Sequence, residues 1–357
     1  MVRLRGHGDH ATAWALPAGM VGWLLVAVLL VLPVTPSMAF HITDPWPDAA
    51  ATEGIERQTV TFDSSDPFVP RDIGRAPRRT VRGVLFLPLH APPDHSVPAV
   101  VMLHGSAGMI YDRAQYGPQL AAMGVAVLLV ETYVSREDMA SRFIDRVIHI
   151  TETMFVADAY AALHYLAGLP QIDPRRVVLA GFSYGGMATQ YALYEQMARA
   201  LSPDGLRFAG HVAYYAPCIA RFADSRTTGA PLLMLYGSDD ELIRPQRCEQ
   251  VADDLRAGGS AVTIIAYPGA VHQWDGGMSR RLIGRQLAGC RFMVARDGSV
   301  RDERTLLPMS GPFLRKLILG LCTGSQPYPI GRDDAVRAQS NRDFGAFLTR
   351  VFTAAAD

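Results

Sequence analysis

The chain has 357 residues, of which 49% are hydrophobic and 19% are charged, and its 34 basic residues equal its 34 acidic ones. This balance argues against a nucleic-acid-binding protein, which usually carries a clear basic excess. The high apolar fraction excludes wholesale disorder and provides enough material for one large domain or two ordinary ones.

The first 39 residues have the pattern of a secretory signal peptide. Arg3 and Arg5 precede an apolar run that is densest over residues 20–34, and small residues stand at Ser37 and Ala39. This combination predicts cleavage after Ala39 and export to the periplasm or the extracellular space. An uncleaved N-terminal membrane anchor is the alternative, because the uncharged stretch is almost long enough to span a bilayer.

From about residue 59 the chain alternates apolar runs typical of strands with segments of helical periodicity. We predict strands over residues 59–62, 81–87, 99–103, 125–130, 176–180, 211–215, 232–236 and 262–267, and helices over residues 112–123, 143–167, 186–195, 245–257 and 341–352. Strands separated by helices form βαβ units, so we expect a mainly parallel central sheet flanked by helices on both faces. A single α/β domain over residues 40–357 is expected, with an irregular insertion over about residues 273–335.

A short glycine-rich segment carries the sharpest chemical signal. Gly181-Phe182-Ser183-Tyr184-Gly185-Gly186 follows a predicted strand and precedes a predicted helix. In this context G-x-S-x-G predicts a nucleophile elbow, a tight turn that exposes a strained serine. A glycine-rich turn with a solvated serine is the alternative interpretation. Ser183 is therefore the candidate nucleophile.

A serine nucleophile requires a histidine base and a carboxylate that orients the base. Only His211 and His272 follow Ser183, and His211 begins a predicted strand with no strand-end acid before it, so His272 is the candidate base. Three adjacent carboxylates follow the strand at residues 232–236. We select Asp240, because the Gly-x-x-Asp spacing lets the chain turn once beyond the strand, and Asp239 is the alternative.

The oxyanion of an acyl-transfer intermediate needs two backbone donors. Tyr184 N–H, at the predicted helix N-terminus, supplies one, and Ser106 N–H, in the loop His104-Gly105-Ser106-Ala107-Gly108, supplies the other. His104 is expected to be a structural histidine at a strand end. These groups suffice for the chemistry, so no metal or organic cofactor is expected.

The segments HGSAG, DPRRVVLAGFSYGG, YGSDDELI and YPGAVHQWD, in this order and at these separations, resemble the dienelactone hydrolase family of α/β-hydrolases. The resemblance runs from about Arg57 to the C-terminus. It implies the α/β-hydrolase fold, the triad Ser183, Asp240 and His272, and a small carboxylic ester or lactone as substrate, cleaved through an acyl-enzyme. Dienelactone hydrolase itself uses a cysteine nucleophile, so Ser183 makes a general serine carboxylesterase the better expectation.

Other functions remain open on the same scaffold. An acyltransferase or a peptidase would use the same triad, and a catalytically silent α/β-hydrolase-like binding protein would use none of it. The expected partner is a small-molecule ester. We expect no nucleic-acid partner, and contact with a membrane only if the N-terminal segment is not cleaved.

The four cysteines all follow the predicted cleavage site. An even number in an exported protein favours two disulfides. We predict Cys218–Cys248, because both residues follow neighbouring strands at one edge of the sheet, and Cys290–Cys322, because both lie in the irregular insertion. Free buried cysteines are the alternative.

Overall fold

The computed structural model describes residues 40–109, 115–284, 287 and 289–355. Its strands are β1 (Arg57–Ser65), β2 (Arg78–Phe86), β3 (Val97–Leu103), β4 (Ala126–Val130), β5 (Ile172–Phe182), β6 (Gly210–Tyr214), β7 (Ala220–Phe222), β8 (Leu232–Gly237), β9 (Val262–Tyr267), β10 (Arg281–Ile283), β11 (Phe292–Val294), β12 (Val300–Asp302) and β13 (Tyr328–Ile330). Its helices are α1 (Tyr116–Ala122), α2 (Phe143–His149), α3 (Glu152–Ala167), α4 (Tyr184–Ala192), α5 (Glu195–Leu201), α6 (Pro245–Ala257), α7 (Pro312–Cys322) and α8 (Asp334–Ala354). The predicted signal peptide lies outside the described residues.

Eight strands form the central sheet in the order β1-β2-β4-β3-β5-β6-β8-β9. The pairs β1–β2 and β2–β4 are antiparallel, and every pair from β4–β3 to β8–β9 is parallel. This order, with helices between the parallel strands, is the α/β-hydrolase fold, and the fold prediction is confirmed. The carboxyl ends of the parallel strands share one edge, where sites of such sheets are built.

The sheet is covered on both faces because its central strands are apolar on both sides. In β3, Val101 points into one buried cluster, whereas Val100 and Met102 belong to the other. The first cluster includes the inner residues of α3 and α4, and the second includes those of α1 and α8. Continuous apolar strands of this kind are typical of sheets buried between two helical layers.

The segment predicted as one helix over residues 143–167 is two helices, α2 and α3. The chain is extended at Ile150 and Thr151, with Thr151 at φ −92° and ψ 166°. The break frees the carbonyl of Ile150, which accepts a hydrogen bond from the Tyr184 hydroxyl at 2.9 Å. A tertiary contact therefore interrupts a segment whose periodicity alone favours one helix.

The segment that follows residue 272 has more regular structure than expected. It contains α7 and four short strands, of which β10 pairs with β13 and β11 pairs with both β7 and β12. The last helix, α8, begins earlier than the predicted residue 341. Among the described residues, no helix combines the length and the hydropathy needed to cross a bilayer.

Candidate active site

Ser183 stands at the turn between β5 and α4, with φ +52° and ψ −109°. A positive φ is costly for a residue with a side chain, and it persists here because the surrounding backbone is tightly packed. A Cβ on Gly181 would lie 2.3 Å from the Gly185 carbonyl oxygen. One on Gly185 would lie 2.5 Å from the carbonyl oxygen of His104. The two glycines of the motif are therefore required by close backbone contact.

The structure brings together the three side chains that were predicted to act as a unit. Ser183 Oγ lies 2.9 Å from His272 Nε2, and His272 Nδ1 lies 2.7 Å from Asp240 Oδ2. All three residues are buried, with 7%, 1% and 4% of their surfaces exposed, respectively. Removed from water, each contact is stronger than it would be at the surface.

Asp240, and not its neighbour Asp239, faces the histidine. Its second oxygen, Oδ1, accepts the backbone N–H of Leu242 at 2.9 Å, which fixes the carboxylate plane. The Asp239 side chain is half exposed, and its nearest cation is Arg280 at 3.9 Å. Of these two adjacent carboxylates, Asp240 is the buried partner of His272 and Asp239 lies at the surface.

His272 is held from several sides. Its carbonyl oxygen accepts the N–H of Gly331, just after β13. The Tyr215 ring packs edge-on against the imidazole, with centroids 4.7 Å apart. The Tyr215 hydroxyl in turn donates to Asp275 Oδ1 at 2.5 Å. These contacts orient the ring between Ser183 and Asp240.

The loop after β3 lies directly against the elbow. A Cβ on Gly105 would lie 3.4 Å from the Cβ of Ser183. Ser106 and Tyr184, the predicted oxyanion donors, line the same cavity as Ser183 and His272. As the first residue of α4, Tyr184 has a backbone N–H that the helix itself does not use.

Two further histidines, His104 and His211, lie outside the chain of contacts from Ser183 through His272 to Asp240. His104 has its Nδ1 2.8 Å from the Gly105 carbonyl, and its Nε2 faces the N–H of Tyr133 at 3.4 Å. Both of its ring nitrogens are thus engaged by backbone. His211 is buried in β6, and burial lowers its pKa to about 3. Neither residue forms a hydrogen bond with Ser183.

A cavity of about 440 Å³ opens above Ser183 and His272. Its walls come from α2, α7 and the β10–β13 pair, and most of them are aliphatic or aromatic. The described lining includes no Asp or Glu, and its charged residues are Arg281 and Lys316. Sequence reasoning missed these walls, because the insertion was expected to be irregular. The apolar periodicity of PFLRKLILGLC was the signal that could have indicated them.

A buried ion pair joins the insertion to the elbow, and the sequence did not indicate it. Arg315 of α7 contacts both carboxylate oxygens of Glu152, at 2.9 and 3.0 Å. The same guanidinium donates to the Tyr184 hydroxyl at 2.9 Å and to the Val147 carbonyl at 2.8 Å. Burial raises the pKa of Tyr184 well above its ordinary value, so the phenol stays neutral.

The structure contains two disulfides, and they join the predicted pairs. Cys218 is bonded to Cys248 and Cys290 to Cys322, with Cα–Cα distances of 5.1 and 4.7 Å. The first bridge connects the chain after β6 to α6, next to the loop that bears Asp240. The second fastens the end of α7. No group of three or more His, Cys, Asp or Glu that could hold a metal occurs among the described residues.

The loops that carry Ser183, Asp240 and His272, together with the sheet between them, also match a known family. The family model described as the dienelactone hydrolase family matches residues 82–276, which is more than half of the chain. The chain belongs to the dienelactone hydrolase family. The matched range contains the elbow and the loops of Asp240 and His272, and it ends before α7 and the β10–β13 pair, which wall the cavity.

Individual relatives of this dienelactone hydrolase family member are distant. A Methylorubrum extorquens protein that carries the provisional name carboxymethylenebutenolidase is 26% identical over 43% of this chain and 55% of its own length. An uncharacterized protein of Mycobacterium tuberculosis is 27% identical over 50% of this chain and 63% of its own length. The chain thus spans little more than half of these curated relatives. A solved structure from Klebsiella pneumoniae, provisionally titled a dienelactone hydrolase, is 19% identical, covers 61% of this chain and 88% of that one, and has a TM-score of 0.46.

Proposed function

We propose that the protein is a serine hydrolase that cleaves a carboxylic ester through an acyl-enzyme intermediate. The observation that carries the proposal is the continuous contact from Ser183 Oγ through His272 to Asp240, at the floor of an apolar cavity. A serine, a histidine base and an orienting carboxylate are the parts that nucleophilic acyl transfer requires. Membership of the dienelactone hydrolase family supports an ester or lactone bond as the target.

The first half of the reaction forms the acyl-enzyme. Ser183 Oγ attacks the ester carbonyl carbon while His272 Nε2 takes the hydroxyl proton, and Asp240 stabilises the imidazolium that results. The backbone N–H groups of Tyr184 and Ser106 receive the oxyanion. When the tetrahedral intermediate collapses, the C–O bond breaks and His272 gives its proton to the departing alcohol.

The second half regenerates the serine. A water molecule attacks the acyl carbon and loses a proton to His272 Nε2, and the same N–H groups stabilise the second oxyanion. Collapse releases the carboxylic acid and returns the proton to Ser183 Oγ. All of these steps use side chains and backbone donors that surround one end of the cavity.

Export is part of the proposal. The two buried disulfides are bonds that persist in oxidising compartments, and the first 39 residues of the sequence have the features of a signal peptide. We therefore place the hydrolase in the periplasm or outside the cell. N-terminal sequencing of the protein recovered from an exporting host should begin at Phe40.

An activity-based fluorophosphonate and a panel of p-nitrophenyl esters of rising chain length test the function. The wild type should be labelled and should hydrolyse the esters. Ser183→Ala should lose both properties while melting at the wild-type temperature. Ser299→Ala, at a serine that does not line the cavity, is the matched control and should behave as wild type. An unlabelled wild type without esterase activity would instead indicate a silent binding protein.

A further inference from the structure

Most of the exposed large apolar side chains lie on the elements that wall the cavity, and two of them, Phe143 and Ile144, line it. Nine such side chains are exposed in the part of the chain that the structure describes. Six of the nine lie on three elements, α2, β10 and α7, that also contribute to the cavity wall. They are Phe143, Ile144, Leu282, Phe313, Leu317 and Leu321. Scattered exposed apolar residues are ordinary, whereas a group that rims one opening marks an interaction surface.

Helix α7 carries half of this group as a stripe. Phe313, Leu317 and Leu321 are spaced four residues apart, so they lie on one side of the helix. They are 80%, 43% and 56% exposed, respectively. The opposite side is fastened by the buried ion pair of Arg315 and by the disulfide of Cys322. The helix is therefore held with its apolar stripe toward solvent.

Among the described residues, two cations without a carboxylate partner stand beside these apolar side chains, whereas the carboxylate next to Ile144, Asp145, is paired with Arg142 at 2.8 Å. Lys316 is exposed on α7 just before Leu317, and Arg281 adjoins Leu282. Lys316 and Arg281 both line the cavity. Within the described chain, neither forms an ion pair with a carboxylate, and α7 contains no acidic residue. Apolar side chains mixed with unpaired cations are the pattern of a surface that lies on anionic lipid.

We call these eight residues the mouth surface: Phe143, Ile144, Arg281, Leu282, Phe313, Lys316, Leu317 and Leu321. We propose that the mouth surface docks on an anionic lipid surface and that the substrate is an ester with a long apolar chain, drawn from that surface into the cavity. This inference rests on the proposed hydrolase function, because it names the substrate class of the same site. The aliphatic walls lead from the mouth surface to Ser183, so a chain leaving the lipid would stay out of water along its path.

Partition into vesicles tests docking without any ester being cleaved. The exported protein, as processed by its host, is mixed with vesicles of phosphatidylcholine alone or of phosphatidylcholine and phosphatidylglycerol in equal amounts, and the bound fraction is measured by flotation. Wild type and Ser183→Ala should bind the anionic vesicles equally. The variant F313S/L317S/L321S, here named the stripe variant, should bind the anionic vesicles more weakly than wild type by a factor of about ten or greater. Lys316→Glu should reduce binding to the anionic vesicles and leave binding to the neutral ones unchanged.

Two exposed leucines outside the mouth surface provide the matched control. Leu89 and Leu306 are each 63% exposed, so L89S/L306S removes exposed apolar area away from the mouth surface and should bind as wild type does. Equal binding of wild type to neutral and anionic vesicles, or equal binding of the stripe variant and wild type, overturns the proposal. So does a wild-type dimer that the stripe variant converts to a monomer, because a second copy would then cover the stripe.

Hydrolysis measured separately distinguishes this inference from the proposed function. The stripe variant should hydrolyse dissolved p-nitrophenyl acetate as wild type does and should lose about tenfold in the rate on a long-chain ester carried in anionic vesicles. Vesicle binding without any hydrolysis would refute the serine hydrolase and leave the docking surface. Hydrolysis of dissolved and vesicle-borne esters alike by both proteins would refute docking and leave the hydrolase.

Discussion

Replacing Asp240 by asparagine should abolish most of the activity, and the structure indicates why. The asparagine side chain has the shape of aspartate but one oxygen in place of two. Leu242 N–H, 2.9 Å from Asp240 Oδ1, requires that oxygen as its acceptor. The amide nitrogen must then face His272 Nδ1 across the 2.7 Å contact. Because the amide nitrogen is a donor, Nδ1 must accept, and the imidazole proton moves to Nε2, where it blocks transfer from Ser183.

The size of the expected loss in kcat follows from the loss of the correct tautomer of His272. Removing the orienting carboxylate in serine hydrolases costs about 10⁴-fold in kcat, which corresponds to about 5 kcal/mol of transition-state stabilisation. Asp239→Asn is the matched control, since that side chain is half exposed and 3.9 Å from its nearest cation. We expect it to change kcat/KM by less than about threefold.

Initial rates on p-nitrophenyl acetate measure both variants, and thermal melting checks that each is folded. The expected result is a loss of about three to four orders of magnitude for Asp240→Asn and near-wild-type activity for Asp239→Asn. If Asp240→Asn keeps a tenth of the wild-type rate, or if Asp239→Asn is the more damaged variant, the assignment of the acid is wrong.

Three further predictions concern stability. Arg315→Met or Glu152→Gln alone should cost about 3–5 kcal/mol of unfolding free energy, because each leaves a buried partner unpaired. The double variant should cost clearly less than the sum of the two single variants. Urea unfolding measures all three, and additive costs would contradict the pairing. His211 is neutral in the folded protein and its pKa of about 3 is below the unfolded value, so the unfolded chain takes up the proton as pH falls. The stability should therefore be complete above about pH 6.5 and decrease by about 2 kcal/mol on going to about pH 5, a dependence that His211→Leu should reduce; an identical pH dependence in the variant would refute it. Gly181→Ala should prevent folding or cost more than about 3 kcal/mol of unfolding free energy, because its Cβ would meet the Gly185 carbonyl at 2.3 Å. A Cβ on Gly284 meets no atom of the described residues within 4 Å, so Gly284→Ala should change the stability by less than about 1 kcal/mol. Thermal melting of both variants measures the difference.

Several features were accessible from the sequence because their causes are local. The alternation of apolar strands with helices follows from side-chain periodicity, and the glycines at 181 and 185 reveal a tight strand-to-helix turn. The chain order of serine, acid and histidine then narrowed the candidates to His272 and to a short acidic loop. The structure brings those residues into contact and joins the four cysteines in the predicted pairs.

The misjudged features have causes that are distant in the chain. Residues 143–167 read as one helix because their periodicity is continuous, yet the chain opens at Ile150 to accept the hydroxyl of Tyr184. The insertion appeared irregular because its strands have three residues each, too few for a pattern, and they are held by pairing with β7 and with one another. Neither effect is visible in a window of neighbouring residues.

The sequence by itself determined the sheet, the elbow, and Ser183 and His272 as candidates for the proposed chemistry, since periodicity and turn geometry depend on residues close together in the chain. Only the tertiary structure decided which of two adjacent aspartates reaches His272, and that Arg315, far along the chain, would pair with Glu152 beneath the elbow. It also decided that α7 would wall the cavity and turn an apolar stripe to solvent. These outcomes depend on how distant segments exclude water from one another, and burial of that kind is a property of the folded chain as a whole.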